Sequence, residues 1–407
     1  MTVVETTAGR VRGYRLEDAI AFRGVPYGEH TRFAPATPPR GWTGIREAAE
    51  PGPIAPQPPS RLEHVMGPIR LPQAEDCLTL NLYTTGVQGA RPVLVWVHGG
   101  GFSSGSGGLD WYAGHRLAAR GDLVVVSINY RLGALGFLSA PGIGTGNLGL
   151  RDQVLALEWV RDNISRFGGD PNRVTLAGQS AGALSTLALL SAPAARGLFH
   201  RVALQSTPTG MAPLSPGEAA GHADRLRYAA GIQHVRELYD LPVARLIDAQ
   251  VEVARQATSG IAPPFQLVAD GDLVHADLVR AALDGPRTDA LLSWTRDEGA
   301  AFAPEPEVAR LVTDTVFAQG TAELAAGLPG DAHAYRFDWH PEDSPLGACH
   351  CLDIPFVFGT FDAFTEAPML TGARDFEPLA EAVRQTWTAF AHGEPDPVHP
   401  LLRKYSN

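Results

Sequence analysis

Apolar residues along this chain fall into two alternating patterns. Short continuous apolar runs, typical of strands that are buried on both faces, lie at 92–98, 123–128, 173–177, 202–204, 290–294 and 334–337. Between such runs the apolar positions recur every three or four residues, and 150–164 is the clearest case. That spacing predicts a helix with one core-facing stripe. Strands alternating with helices indicate an α/β fold, with a large, mostly parallel central sheet flanked by helices.

The segment at about 208–287 departs from this alternation. It is rich in alanine, arginine and acidic residues, has helical patterning, and has no convincing buried strand before 265–268. We therefore predict a single domain over 1–407, in which this segment forms a short helical cap above the sheet. The proline-rich stretch 51–72 is predicted to be a surface loop without regular structure.

Composition and charge limit the possible partners. Of the 407 residues, 44% are hydrophobic and 19% are charged, as is typical of a globular protein. The net charge of −11 and the lack of any Lys/Arg run argue against nucleic acid or an anionic membrane as a partner. We expect a monomer or a small homo-oligomer that binds a small molecule.

Targeting signals and cysteines bear on the compartment. The first residues lack the basic and apolar regions of a signal peptide, and no apolar run is long enough to cross a membrane. Three cysteines do not make a disulfide framework, and Cys349 and Cys351 are two residues apart, too close for an easy bridge. A reducing, cytoplasmic location is therefore predicted.

The most specific local pattern is Gly-Gln-Ser-Ala-Gly at 178–182. It lies between the predicted strand at 173–177 and an Ala/Leu-rich helix at 183–190, which is the context that a G-x-S-x-G nucleophile elbow requires. The flanking glycines permit a tight, strained turn that exposes Ser180, and the helix directs its N–H groups towards a developing oxyanion. A small-residue turn without function is the alternative interpretation.

A second pattern, His-Gly-Gly-Gly-Phe at 98–102, ends the strand at 92–98. Three consecutive glycines lose much backbone entropy on folding, so a close backbone approach explains them better than packing does. N–H groups of this loop, together with that of Ala181, are predicted to form an oxyanion hole. The alternative is a flexible glycine loop.

An acid and a histidine should follow the serine in the chain. Asp297 and Glu298 both follow the predicted strand at 290–294, and spacing alone does not separate them. Among the later histidines, His350 lies on a loop just before the apolar run 354–358, which is the expected position for a base. Its neighbours Cys349 and Cys351 could suggest zinc, but a second group of ligands at usual spacing is missing. We predict no metal and no cofactor.

The chain resembles the type B carboxylesterase/cholinesterase family of α/β-hydrolases, and ten motifs in the family's order carry the resemblance. They lie at 22–27, 75–81, 98–102, 129–138, 147–153, 167–171, 178–182, 199–206, 296–299 and 355–359. The resemblance implies an α/β-hydrolase fold and selects Glu298 as the triad acid. It assigns the histidine to His350 and the oxyanion hole to Gly100, Gly101 and Ala181. It also implies a hydrogen-bonding role for Ser206 beside the triad.

Three departures from the family pattern refine this interpretation. Gln179 stands where the family usually has glutamate, which removes a negative charge beside the nucleophile. The usual disulfide partner of Cys77 is missing, so Cys77 is expected to be a free thiol. No tryptophan lies between Trp42 and Trp96, so cation–π binding of choline esters is not expected. The chain is also shorter than most relatives, chiefly in the cap and at the C-terminus.

The predicted function is hydrolysis of neutral, small to medium carboxylic esters through an acyl-enzyme on Ser180. An amidase or carbamate hydrolase with the same triad is the first alternative, and a non-catalytic binding module is the second. Phe102 and Phe302 are candidates for lining an acyl pocket, although core packing is the competing interpretation for both. Arg131 and Asp152 are expected to form a structural ion pair.

Overall fold

A computed structural model describes residues 1–256 and 261–405. The strands are β1 (Thr2–Glu5), β2 (Arg10–Leu16), β3 (Ala19–Pro26), β4 (Ile45–Glu47), β5 (Thr79–Thr84), β6 (Arg91–Val97), β7 (Val124–Ile128), β8 (Ser139–Ala140), β9 (Gly144–Thr145), β10 (Gly169–Gln179), β11 (Arg201–Gln205), β12 (Asp289–Thr295), β13 (Ala332–Phe337) and β14 (Arg403–Lys404). The helices are α1 (Glu63–Met66), α2 (His115–Gly121), α3 (Gly133–Phe137), α4 (Leu148–Asn163), α5 (Ala181–Ser191), α6 (Pro216–Ala229), α7 (Val243–Gln256), α8 (Leu278–Leu283), α9 (Pro306–Val312), α10 (Gln319–Gly327), α11 (Ile354–Phe358) and α12 (Glu377–His392). A π-helical segment, Thr313–Ala318, connects α9 to α10.

Twelve strands of the described residues form one mixed sheet, in the order β1-β2-β3-β5-β7-β6-β10-β11-β12-β13-β14, with β4 beside β2. The block from β7 to β13 is parallel, and the flanking strands pair antiparallel except β4, which is parallel to β2. β5 and β7 are buried throughout, and β6 is buried apart from its first residue. Helices cover both faces, which explains why these strands are continuous in apolar residues. The predicted α/β fold with a mostly parallel core is confirmed.

Parallel strands bring their carboxyl ends to one edge of the sheet. The glycine loop at 98–101 follows β6, the serine turn follows β10, and Glu298 follows β12. β13 lies beside β12 and leads into the loop that carries His350. The topology therefore gathers four segments that are distant in sequence at one edge, where ligands bind in sheets of this kind.

The predicted cap segment, 208–287, contributes α6, α7 and α8. α6 begins with a capping box, in which the Ser215 side chain accepts from the backbone N–H of Glu218 and the Glu218 side chain accepts in return. The strand-like run at 265–268 forms only an isolated bridge, between Leu214 and Val268. Across the described residues, no helix combines the length and apolarity that a bilayer crossing requires.

Arg131 and Asp152 form the expected ion pair, and it is almost fully buried, with 2% and 0% of the two side chains exposed. Arg131 Nε and Nη2 donate to the two oxygens of Asp152 at 2.8 and 2.6 Å, and Nη1 donates to the carbonyl of Ala34 at 2.7 Å. This pair ties the loop after β7 to α4. Its role is structural.

Asp152→Ala is expected to lower the free energy of unfolding by about 3–5 kcal/mol, because it leaves a buried guanidinium without its counter-charge. Urea unfolding followed by circular dichroism measures the change. Asp284→Ala is the matched control, since it breaks the exposed Arg280–Asp284 pair and should cost less than about 1 kcal/mol. Equal losses in the two variants would contradict a stabilising role of the buried pair.

Candidate active site

The serine turn joins β10 directly to α5. Ser180 has φ 55° and ψ −123°, a strained conformation for a residue other than glycine. A Cβ on Gly178 would lie 2.4 Å from the backbone of Gly182, and a Cβ on Gly182 would lie 2.1 Å from the carbonyl oxygen of Val97. Both glycines are therefore required by the packing of the turn. The turn places Ser180 immediately before Ala181, the first residue of α5.

A continuous row of contacts joins Ser180, His350 and Glu298. Ser180 Oγ lies 2.9 Å from His350 Nε2, and His350 Nδ1 is hydrogen bonded to Glu298 Oε2. The second oxygen of Glu298 accepts the backbone N–H of Thr295 at 2.8 Å, which fixes the carboxylate. His350 and Glu298 are completely buried. The arrangement places a hydroxyl against an imidazole whose other nitrogen is held by a carboxylate, which is the geometry that an activated nucleophile requires.

The neighbouring acid, Asp297, has a different set of partners. Its Oδ2 accepts from the guanidinium of Arg296 at 2.8 Å and from the backbone N–H of Ala348 at 2.8 Å. Its own N–H donates to the carbonyl of Ala348 at 2.9 Å. Asp297 therefore anchors the loop that carries His350, while Glu298 contacts the imidazole itself. The structure thus separates two acids that spacing left equivalent.

The glycine loop after β6 passes against the serine turn. A Cβ on Gly99 would lie 3.1 Å from Ser180 Cβ, which shows how closely the two segments approach. The backbone N–H groups of Gly100, Gly101 and Ala181 donate to no acceptor among the described residues. Unpaired backbone donors are rare in folded proteins unless they face water or a ligand. Gly100, Gly101 and Ala181 line the same cavity as Ser180, so their donors are available to an oxyanion.

The surroundings of His350 shift the pKa of its imidazole. Burial lowers the pKa of His350, but the adjacent Cys351 sulfur and the Glu298 carboxylate raise it by more, so the pKa stands well above its ordinary value of 6.5. Gln179 Nε2 lies 3.1 Å from His350 Nε2 and 3.4 Å from Cys351 Sγ. In the sequence Gln179 stands out only as a missing negative charge, and its contact with the imidazole depends on the fold.

Gln179→Glu is expected to shift the ascending limb of the pH profile of kcat/KM to higher pH by about one unit or more, because a carboxylate beside the imidazole stabilises its protonated form. The base must be neutral to accept a proton, so a higher pKa of His350 moves the onset of activity upwards. The measurement is hydrolysis of p-nitrophenyl acetate as a function of pH. Gln88→Glu adds the same charge at an exposed position and should leave the limb unchanged. A shift to lower pH in Gln179→Glu would refute this account.

The two phenylalanines proposed for the acyl pocket lie in different places. Phe302 lines the cavity at Ser180 and has its ring centroid 5.1 Å from that of His350. Phe317, which was not singled out from the sequence, also lines this cavity and lies 5.0 Å from His350. Phe102 is completely buried behind the glycine loop, edge-on to Phe137 at 4.9 Å. The prediction that Phe102 contacts substrate is therefore replaced by its competing interpretation as a core residue, because its side chain is fully buried and is not among the described residues that line the cavity.

Other residues singled out from the sequence have no direct part in the triad. Ser206 Oγ is buried and has no hydrogen-bond partner among the described residues, which contradicts its expected supporting bond. Cys77, Cys349 and Cys351 are buried free thiols. Within the described ranges, no cluster of three or more His, Cys, Asp or Glu side chains is arranged to hold a metal ion.

Comparison with known proteins agrees with this architecture. The sheet and its covering helices are those of an α/β-hydrolase. The model of the carboxylesterase family matches residues 1–307. The chain belongs to this family, as a type B carboxylesterase, and it is a carboxylic-ester hydrolase.

Individual relatives match over almost their whole length. A probable N-octanoylanthranilate hydrolase from Rhodococcus erythropolis is 40% identical, with 98% of this chain and 94% of the relative covered. Phenmedipham hydrolase from Pseudarthrobacter oxydans is 38% identical, with 98% and 91% covered. The solved structure of a thermophilic PNB esterase superposes with a TM-score of 0.89 at 30% identity, covering 99% of this chain and 94% of that structure.

Proposed function

We propose that Ser180 is the nucleophile of this hydrolase, that His350 is its general base and that Glu298 orients the base. The observation that carries the proposal is the 2.9 Å contact between Ser180 Oγ and His350 Nε2, with the Glu298 carboxylate on the other ring nitrogen. A serine hydroxyl is a weak nucleophile until an adjacent base accepts its proton. The buried carboxylate holds the imidazole in the tautomer that leaves Nε2 free to do so.

The reaction proceeds by two acyl transfers. Ser180 Oγ attacks the ester carbonyl while His350 accepts its proton, and the N–H groups of Gly100, Gly101 and Ala181 stabilise the tetrahedral oxyanion. His350 returns the proton to the leaving alcohol, and an acyl-enzyme remains. Water, activated by His350, then releases the acid and restores Ser180. Apart from the substrate and water, each step uses only groups of the chain, so the proposal includes no cofactor and no metal.

The test is hydrolysis of p-nitrophenyl esters from acetate to octanoate, combined with a fluorophosphonate probe that labels active serines. The cavity at Ser180 has a volume of about 370 Å³ and is largely apolar, so we expect small to medium neutral esters to be hydrolysed. Peptide mapping should find the probe on Ser180. Folded protein that hydrolyses none of the esters would refute the proposed activity, and labelling of another serine would refute the assignment.

Amide or carbamate hydrolysis is a second candidate activity for the same site. It is supported by the name of the relative from Rhodococcus erythropolis, which is a hydrolase of an N-octanoyl compound. The same nucleophile and oxyanion donors serve both reactions, and the difference lies in protonation of the poorer leaving group. Comparing kcat/KM for phenyl octanoate and N-phenyloctanamide decides between them. An amide rate close to the ester rate would favour the amidase.

We also propose that residues 208–287 act as a cap, because α7 contributes Gln250, Val251 and Ala254 to the cavity wall.

The partner is a small-molecule ester, and nucleic acid and membranes are not proposed as partners, since the net charge of −11 opposes polyanions. A cytoplasmic location is supported by three free thiols, the form that a reducing compartment maintains. We propose a monomer or a small homo-oligomer, which light scattering can test.

A further inference from the structure

The charges on the wall of the active-site cavity are unusual for this chain. The chain carries 44 acidic and 33 basic residues. Among the described residues that line the cavity at Ser180, however, the charged side chains are Arg61 and Arg255, and none is acidic. The remaining wall is mostly apolar or glycine. Neutral esters alone do not require a positive charge in such a wall.

Arg61 lies close to the proposed reacting centre. A Cβ built on Gly101 would lie 3.0 Å from Arg61 Nη2, and no other atom that is not a chain neighbour would lie within 4 Å of it. The guanidinium is therefore beside one of the proposed oxyanion donors. Its one hydrogen bond to a described residue is donated by Nη2 to the carbonyl of Ile261 at 2.9 Å. That contact leaves most of its five donors free.

Among the described residues, no carboxylate forms an ion pair with this guanidinium. Arg61 takes part in none of the ion pairs of residues 1–256 and 261–405, although arginines elsewhere in the chain are commonly paired. Loss of solvent around the side chain lowers the pKa of Arg61, yet an arginine keeps its charge at any physiological pH. Arg61 is an exposed residue, so an anion in the cavity can reach its guanidinium. A cation that is unpaired among the described residues is stabilised when such an anion binds.

A second cavity adjoins the first and shares Arg61, Leu62, Ile261 and Phe302 with it. Its described wall adds His64, Arg296 and Arg310 to Arg61, with Asp297 and Asp314 as the acids. Because Asp297 is already paired with Arg296, the balance of charge along this side of the site is positive. The field there favours the approach of an anion.

We propose that Arg61 binds a carboxylate of the substrate, so that the enzyme accepts, in addition to neutral esters, acyl compounds that carry a carboxylate a few bonds from the scissile carbonyl. The spacing follows from the position of Arg61 beside Gly101, since a carbonyl held at the oxyanion donors leaves only a short reach to the guanidinium. The planar guanidinium matches a carboxylate with two parallel hydrogen bonds. This inference rests on the proposed function and adds a class of substrate to it.

The experiment uses two matched pairs of esters, one for each side of the scissile bond. The 2-carboxyphenyl and 2-carbamoylphenyl esters of octanoic acid place the charge on the leaving group. The mono-4-nitrophenyl ester of glutaric acid and its terminal amide place it on the acyl group. For each pair the ratio of kcat/KM, carboxylate over amide, is measured in wild type and in variants, so that intrinsic reactivity cancels between proteins.

Arg61→Gln is expected to lower this ratio by about tenfold to a hundredfold for at least one pair, as is typical of losing a hydrogen-bonded charge pair. The pair that responds shows which side of the substrate carries the anion. Arg61→Lys keeps the charge without the fork and should give an intermediate ratio. Arg70→Gln is the matched control, because Arg70 lies on the same loop but pairs with Glu366 at the exposed surface, and its ratio should equal that of wild type.

An unchanged ratio for both pairs in Arg61→Gln would overturn the inference, as would an equal fall in Arg70→Gln. If the Arg61 variants do not fold, competitive inhibition of wild type by 2-hydroxybenzoate and 2-hydroxybenzamide replaces them. The acid should bind about tenfold more tightly at low salt and lose that advantage as salt is raised, and equal binding would overturn the inference. Failure of the proposed function would look different, because wild type would then hydrolyse no member of either pair.

Discussion

Ser180→Ala is expected to lower kcat for p-nitrophenyl butanoate by about four to six orders of magnitude, as is typical of removing the nucleophile from a triad. The methyl group that replaces the hydroxyl has no lone pair to attack the carbonyl and no proton to give to His350. The oxyanion donors remain in place, so a small residual acceleration over water is expected to survive. The loss should appear in kcat far more than in KM, because binding to the cavity wall is unchanged.

A double variant tests whether Ser180 and His350 act together. If Ser180 and His350 act as a unit, the double variant Ser180→Ala/His350→Ala should be about as slow as Ser180→Ala alone. Ser185→Ala is the matched control, since Ser185 lies on the same helix, α5, and only accepts a hydrogen bond from Gln153 at 3.2 Å. The activity expected to remain in Ser180→Ala is far below about one hundredth of the wild-type activity. Activity above that level would mean that another group is the nucleophile.

The parts of the site that the sequence predicted are those fixed by local geometry. The turn around Ser180 is determined by a strand, a helix and two glycines within a few residues, and each of these leaves a pattern in the sequence. The strands that bring the site together were likewise predicted from continuous apolar runs, since burial on both faces leaves no polar alternation. Their boundaries in the structure differ by only a few residues.

The parts that spacing and local pattern left open depend on contacts between distant segments. Asp297 and Glu298 are equivalent in spacing, and only the position of the loop at 347–350 gives one of them a backbone partner and the other an imidazole. Phe102 follows the glycine loop directly, so proximity in sequence suggested the cavity, but its backbone turns its ring towards Phe137. The family resemblance selects Glu298, but neither outcome follows from the spacing of residues in this chain.

The position of Arg61 could not be predicted from the sequence either. It lies in the proline-rich loop at 51–72, which has no periodicity from which a side-chain direction could be predicted. The structure brings it to Gly101 and Ile261, which are far from it in the chain and from each other. A charged residue in an irregular loop is ordinarily a solvated surface group, and only the fold places this one in the wall of the cavity.

Gly100→Ala is expected to lower kcat by about two to three orders of magnitude, which is the effect of disabling an oxyanion donor. Gly100 has φ +113°, and a Cβ there would lie 2.0 Å from the carbonyl oxygen of Ser104. That oxygen belongs to the backbone of the same tight loop, in which the N–H groups of Ser103 and Ser104 donate to the carbonyl of Gly100 at 3.1 Å. The loop must open to admit the methyl group, and the N–H donors then lose their alignment with the carbonyl of the substrate.

Gly101→Ala provides the contrast within the same loop. Its φ of +59° is accessible to alanine at a cost of about 1–2 kcal/mol, and the added Cβ would meet only the end of the Arg61 side chain, at 3.0 Å. A flexible side chain can move aside, so kcat should fall by no more than about thirtyfold, the equivalent of that conformational cost if all of it were lost from the barrier. Urea unfolding of both variants separates loss of alignment from loss of stability. If Gly101→Ala is as inactive as Gly100→Ala while both remain folded, the backbone contact with Ser104 is not what aligns the donors, because the two substitutions differ chiefly in that contact.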